Sequence, residues 1–165
     1  MNPEKIIAGK RVLIVEDEKD VIEVLTELLE VCRLDAATSF EQGKRLLSEN
    51  DYDLVILDIM GVQGFDLLKI ANERHVPALM LTAHGLSEEN LNRAAREGAL
   101  YYAPKDEMPK IATFVADVIE SIDKKKSPWL RVIERLGSYY DNKFGGTNWR
   151  EKELEYLLKK AGRSM

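Results

Sequence analysis

A single cysteine, Cys32, stands among the 165 residues. That excludes an internal disulfide and a cysteine-built zinc site, and one thiol is at home in a reducing compartment. No apolar run approaches the roughly 18 residues that a membrane helix needs. The first eleven residues mix charges with two isoleucines and lack the apolar stretch of a signal peptide. A cytoplasmic location without membrane attachment is therefore expected. Internal repeats and low-complexity segments are also missing.

What is present is ordinary for a globular chain: 45% hydrophobic and 32% charged residues, at a length suited to one domain with an appendage. The net charge of −5 is unevenly spread. Residues 1–120 hold 13 Lys/Arg against 23 Asp/Glu, whereas residues 121–165 hold 11 against 6. The acidic part argues against a nucleic-acid surface, and the basic tail reopens that question only for itself.

Short apolar runs punctuate the first 120 residues: Val12 to Val15, Leu54 to Leu57, Ala78 to Leu81 and Leu100 to Ala103, with a weaker one from Asp35 to Thr38. Runs without alternation read as strands buried on both faces, as in a parallel sheet. Helical patterns separate them. Val21, Leu25, Leu28 and Cys32 share one face. Ser39 with Gln42 forms a capping box before Leu46 and Leu47. Phe65, Leu68 and Ala71 mark a helix stopped before Pro77. Ser87 starts a helix that Gly98 ends. Pro109 suits the first turn of a helix whose stripe is Ile111, Phe114, Val115, Val118 and Ile122. Five strand–helix alternations predict an α/β domain with a doubly wound, five-stranded parallel sheet. After Lys124-Lys125-Lys126 the pattern changes. Ser127-Pro128 opens a helix carrying Leu130, Ile133, Leu136 and Tyr140. Asp141 to Asn148 reads as a loop, and Trp149 to Ala161 as a second helix stopped by Gly162. The expected division is thus 9–126 for the main domain and 127–165 for a C-terminal helical hairpin, too small for a core of its own.

In a doubly wound sheet, ligands bind beyond the carboxyl ends of the strands. The residues at those ends are Glu16, Asp17, Asp58, Thr82 and Lys105. Clustered carboxylates repel one another and favour a hard divalent cation, and Mg2+ suits them because it shares its oxygen shell with phosphate. A lysine and a hydroxyl opposite the cation neutralise phosphoryl oxygens. A central carboxylate can itself attack phosphorus to give an acyl phosphate.

Val-Glu-Asp-Glu at 15–18, Leu-Asp-Ile-Met at 57–60, Leu-Thr-Ala at 81–83 and Ala-Pro-Lys at 103–105 resemble, in order and spacing, the motifs of response-regulator receiver domains. The resemblance covers about seven tenths of the chain and implies a flavodoxin-like fold. It implies that Asp58 is the phosphoacceptor for a sensor histidine kinase. It also implies that Asp17, Glu16 through water, Asp58 and the backbone carbonyl of Met60 hold Mg2+. Thr82 and Lys105 would contact the phosphoryl oxygens, and Thr82 with Tyr102 would form the switch. Such a protein is not an enzyme in the usual sense, since it catalyses only its own phosphorylation and dephosphorylation. The chain departs from the family in the loop after Asp58, which lacks the usual proline and acidic residue, and at Asp106, which replaces a proline after the lysine. A trans Lys105–Asp106 peptide is expected. A flavodoxin-type electron carrier is disfavoured because Glu16 and Asp17 would repel a flavin phosphate. A haloacid-dehalogenase-type phosphatase is disfavoured because its Asp-x-Asp is missing. For output, contact with a partner protein or a second copy (a dimer) is expected over a DNA-binding tail, because Glu134, Glu151, Glu153 and Glu155 interrupt the tail's basic residues.

Overall fold

The computed structural model describes residues 2–83 and 87–144. Five parallel strands, β1 (Arg11–Val15), β2 (Arg33–Ala37), β3 (Leu54–Asp58), β4 (Ala78–Thr82) and β5 (Tyr101–Pro104), lie in the order β2-β1-β3-β4-β5. The doubly wound topology read from the alternation is therefore what forms. β3 and β4 are buried at every position, as strands covered on both faces must be. Among the described residues, seven α-helices accompany the strands: α1 (Pro3–Ile7), α2 (Lys19–Leu28), α3 (Phe40–Glu49), α4 (Gly64–Glu73), α5 (Glu88–Arg96), α6 (Ile111–Asp123) and α7 (Trp129–Lys143). α2 packs with α6 and α3 with α4, so each pair covers one face.

The caps work largely as the residue types dictate. The Gln42 amide donates to Ser39 Oγ at 3.2 Å, while Gln42 Oε1 accepts from the Thr38 amide at 3.0 Å, one residue earlier than a regular capping box. The Asn90 amide donates to Ser87 Oγ at 3.0 Å. Gly98, at φ +97°, takes the left-handed position that closes α5. Several boundaries differ from expectation. Cys32 lies past the end of α2, because the chain turns at Leu29 and the Cys32 amide bonds the Leu29 carbonyl. β2 begins at Arg33 and ends at Ala37, since register with β1 pairs Arg11 with Arg33. Pro109 sits in a 3-10 helix, Lys105–Lys110, and α6 starts only at Ile111. α1 lies ahead of residue 9, with Pro3 in its first turn, and packs on α6 through the buried Ile7.

The tail opens a helix after Ser127-Pro128 as expected, but its buried face is shifted: Leu130 is 54% exposed and Ile133 only partly buried. Ser127 Oγ accepts from the Trp129 amide at 3.3 Å, and α7 buries Trp129, Val132, Leu136 and Tyr140 along one stripe. Asp141, Asn142 and Lys143 continue this helix instead of forming the expected loop. Their side chains are compatible with helix, and the glycine pair that signals a break comes only later. The second helix expected at 149–161 lies outside the described residues.

α7 lies against the edge strand β5. Trp129 Nε1 donates to the Ala99 carbonyl at 3.1 Å, and the buried Tyr140 hydroxyl donates to the Tyr102 carbonyl at 2.6 Å. Arg135 grips Asp117 of α6 with two nitrogens, at 2.6 and 3.0 Å, and Tyr101 donates to the same carboxylate at 2.9 Å. Asp117 is 2% exposed. Removing one partner of such a pair strands a buried charge. Arg135→Ala should therefore lower stability by about 2–3 kcal/mol in urea unfolding, less than the roughly 3–5 kcal/mol of a fully buried pair because Arg135 itself reaches solvent.

Candidate functional site

Parallel strands deliver their carboxyl ends to one side of the sheet, and the strand order reverses between β1 and β3. Register pairs Val15 with Leu57, which sets Glu16 opposite Asp58. Glu16 is 2% exposed, Asp58 7% and Thr82 fully buried. Lys105, in the first turn after β5, reaches over them. Its Nζ lies 2.5 Å from Glu16 Oε1, 3.5 Å from Asp58 Oδ1 and 3.6 Å from Glu18 Oε1. Apart from that ammonium, Glu16 Oε1 has no hydrogen-bond partner among the described residues, while Glu16 Oε2 accepts from the Asp17 amide at 3.0 Å. Asp58 Oδ2 receives a long hydrogen bond, 3.4 Å, from the Gly61 amide.

These contacts set the electrostatics. Burial pushes Glu16 up to about 8, and the Asp58 carboxylate beside it adds to the shift, while Lys105 works against it. For Lys105, burial alone would lower the pKa. The bond to Glu16 and the charges of Asp58, Glu16 and Glu18 outweigh it, so the ammonium is held more firmly charged than usual. Two nearly buried acids share one cation and remain short of positive charge.

Asp17 faces the loop after Asp58. A Cβ at Gly61 would meet the Asp17 carboxylate, so any larger residue there would have to displace that side chain. The carboxylate oxygens of Glu16, Asp17 and Glu18 come within 4.8 Å of one another. The donors are hard oxygens, a set that fits Mg2+. The Met60 carbonyl accepts a 3.5 Å bond from the Gln63 amide, and the Met60 side chain points into solvent, 60% exposed. Thr82 ends β4, paired with Pro104. Tyr102 is completely buried, its hydroxyl pKa raised by burial, with its ring 6.0 Å from that of Tyr140. The Lys105–Asp106 peptide is trans, as no cis bond occurs among the described residues.

The structure thus brings Glu16, Asp58 and Lys105 into direct contact, places Asp17 against the same loop, and sets Thr82 and Tyr102 on the two neighbouring strands. Glu18 belongs to the acidic group and to the surroundings of Lys105. It was not among the expected site residues, although its place two residues after Glu16 was the available signal. Gly61 and Gly64 were also missed, because close approach leaves no mark in a hydrophobicity pattern.

A carboxylate–lysine centre at the switch point of a doubly wound sheet defines a class of site. The model of the response regulator receiver domain family matches residues 12–116, and the chain belongs to that family. Among curated proteins, the phosphate regulon transcriptional regulatory protein PhoB of Klebsiella pneumoniae is 36% identical over 81% of this chain and 61% of its own length. A two-component response regulator of Arabidopsis thaliana is 35% identical over 62% of this chain and 17% of its own. The chain therefore spans less than two thirds of either relative. Among solved structures, the non-phosphorylated HemR receiver domain of Leptospira biflexa is 31% identical, with a TM-score of 0.60, covering 67% of this chain and 94% of that one. A CheY-like receiver domain protein of Methanospirillum hungatei is 25% identical, with a TM-score of 0.59, over 72% and 94%.

Gly64 offers a steric check on the site's frame. A Cβ there would collide with the Asp58 carbonyl oxygen and lie 2.8 Å from Ile59 Cα, backbone atoms that cannot swing aside. Gly64→Ala should cost about 1–3 kcal/mol by urea unfolding, the usual penalty of overpacking.

Proposed function

We propose that the chain is a phosphoacceptor response regulator, charged on Asp58 by a sensor histidine kinase and signalling in the cytoplasm through protein contact. The observation that carries this reading is the buried Asp58 carboxylate, with Lys105 Nζ 3.5 Å from one oxygen and the acids of 16–18 beside it.

An Asp58 oxygen attacks the phosphorus of a phosphohistidine. The new O–P bond forms as the N–P bond breaks, and the leaving imidazole nitrogen keeps the electron pair and takes up a proton. Lys105 is held charged, so it is ready to meet the oxygens of the arriving group. Thr82, at the next strand end, supplies the hydroxyl. Glu16, Asp17, Asp58 and the Met60 carbonyl would hold Mg2+, with Glu18 at the rim. When bound, the cation supplies the positive charge that offsets the phosphoryl oxygens. The residues of the site position and neutralise; the chemistry is confined to the chain's own carboxylate, so no external substrate is turned over.

The output reading rests on α7. Its buried apolar stripe lies against β5, and Arg135 ties it to α6, so α7 is an element of protein packing. A duplex-DNA binding assay at low salt separates this from a DNA-reading tail, because phosphate contacts give affinity that falls steeply with salt.

Acetyl phosphate with Mg2+ should add one phosphoryl group by intact mass, and Asp58→Asn should abolish it; full labelling of that variant would refute the assignment. Saturating Mg2+, at about a hundred times its Kd, should stabilise the protein by about 2.7 kcal/mol. Asp17→Asn should shrink that gain at the same concentration, read as a smaller thermal shift.

A further inference from the structure

α7 touches the site at two points that the family motifs do not include. It runs in the same direction as β5: Trp129 meets Ala99 ahead of the strand, Tyr140 meets Tyr102 within it, and Tyr139 meets Asp106 beyond it. The Tyr139 hydroxyl donates to Asp106 Oδ2 at 2.8 Å, and Asp106 is peptide-bonded to Lys105. The Tyr140 hydroxyl holds the Tyr102 carbonyl, three residues before Lys105. Tyr139 and Tyr140 meet edge to face at 5.8 Å, and Phe144 stacks on Tyr140 at 5.5 Å. One helical turn thus holds the main chain before Lys105, at the Tyr102 carbonyl, and the side chain of the residue after it, Asp106.

We infer that Tyr139 and Tyr140 are positioning residues: α7 clamps the Lys105 segment in the arrangement that places the ammonium on Glu16, and filling the Asp58 site loosens the C-terminal half of the helix. The inference rests on the proposed function.

The geometry gives the direction of the coupling. With α7 docked, Lys105 Nζ lies closer to Glu16 than to Asp58, 2.5 against 3.5 Å. A phosphoryl group on Asp58 puts new anionic oxygens on that side, and a cation claims the acids at 16–18. Both draw the ammonium off Glu16. A shift of Lys105 is passed to Asp106 through the peptide, and Tyr139 opposes it. Coupling of this kind is reciprocal: if charging weakens the clamp, weakening the clamp must favour charging by the same factor. The N-terminal half of α7 is pinned apart from the site by Trp129 and by Arg135 on Asp117, so it stays.

The test uses the full chain with MgCl2 and beryllofluoride, which mimics a phosphoryl group on a carboxylate, read by hydrogen–deuterium exchange. Protection at 54–62 with faster exchange at 136–143 is expected. Protection at 54–62 with 136–143 unchanged or slower would overturn the clamp and leave the proposed function standing. No protection at 54–62 would overturn both. Tyr139→Phe keeps the ring contacts and loses only the hydroxyl. It should bind beryllofluoride about 2- to 5-fold tighter, the share expected of one exposed hydrogen bond. Unchanged or weaker binding would refute the clamp, since general damage to the fold does not tighten a site. Arg131→Gln, which removes an exposed pair within α7, should bind as the parent does; tightening equal to that of Tyr139→Phe would also refute it.

Discussion

The structure turns on the charge balance between Lys105 and the two acids beneath it. Glu16 and Asp58 come from neighbouring parallel strands whose register leaves no choice but proximity. Two carboxylates with so little water to screen them would push the strand ends apart or take up a proton. Lys105 answers that repulsion incompletely, with one charge for two. The shortfall shows in Glu16, held up to about 8 by burial first and by Asp58 next. A centre in that condition is receptive to a cation and, once a cation is present, to an anion. Fold and chemistry are linked because the same lysine closes the sheet's carboxyl end and faces whatever binds there.

α7 extends this balance to the tail. An exposed edge strand is a pairing hazard, and β5 is covered by a helix of the same chain. The helix is attached by specific anchors as well as by apolar contact. Arg135 and Tyr101 neutralise and bond a buried Asp117, and two tyrosine hydroxyls bond the Tyr102 carbonyl and the Asp106 side chain, on either side of Lys105. The first helix of the tail is thus packed into the receiver body, with its polar anchors set around the segment on which the site depends.

Much of this was legible beforehand. Unalternating runs gave the strands because both faces of a parallel sheet are buried, and acids at strand ends marked the site because topology fixes where strand ends meet. Boundaries were less legible. Cys32 continued the helical spacing of α2 yet lies beyond a turn, and Pro109 sits in a 3-10 helix rather than in α6. Periodicity does not record where a chain must bend to reach its next strand. Glu18 stands in the 15–18 motif, but its exposure gave no hint that it would lie within 3.6 Å of Lys105, a distance set by how the chain after β5 reaches over the end of β1.

The sequence by itself determined the class of fold, the order of its elements and the residue types at the carboxyl ends, because these follow from local periodicity and from the parallel geometry it imposes. Only the tertiary structure decided that Lys105 sits closer to Glu16 than to Asp58, that Gly61 is pressed against Asp17, and that Tyr139 and Tyr140 reach the Lys105 segment. Each of those contacts joins residues from separate elements. Distances between such residues are set by how whole elements pack, and no stretch of sequence contains that information locally.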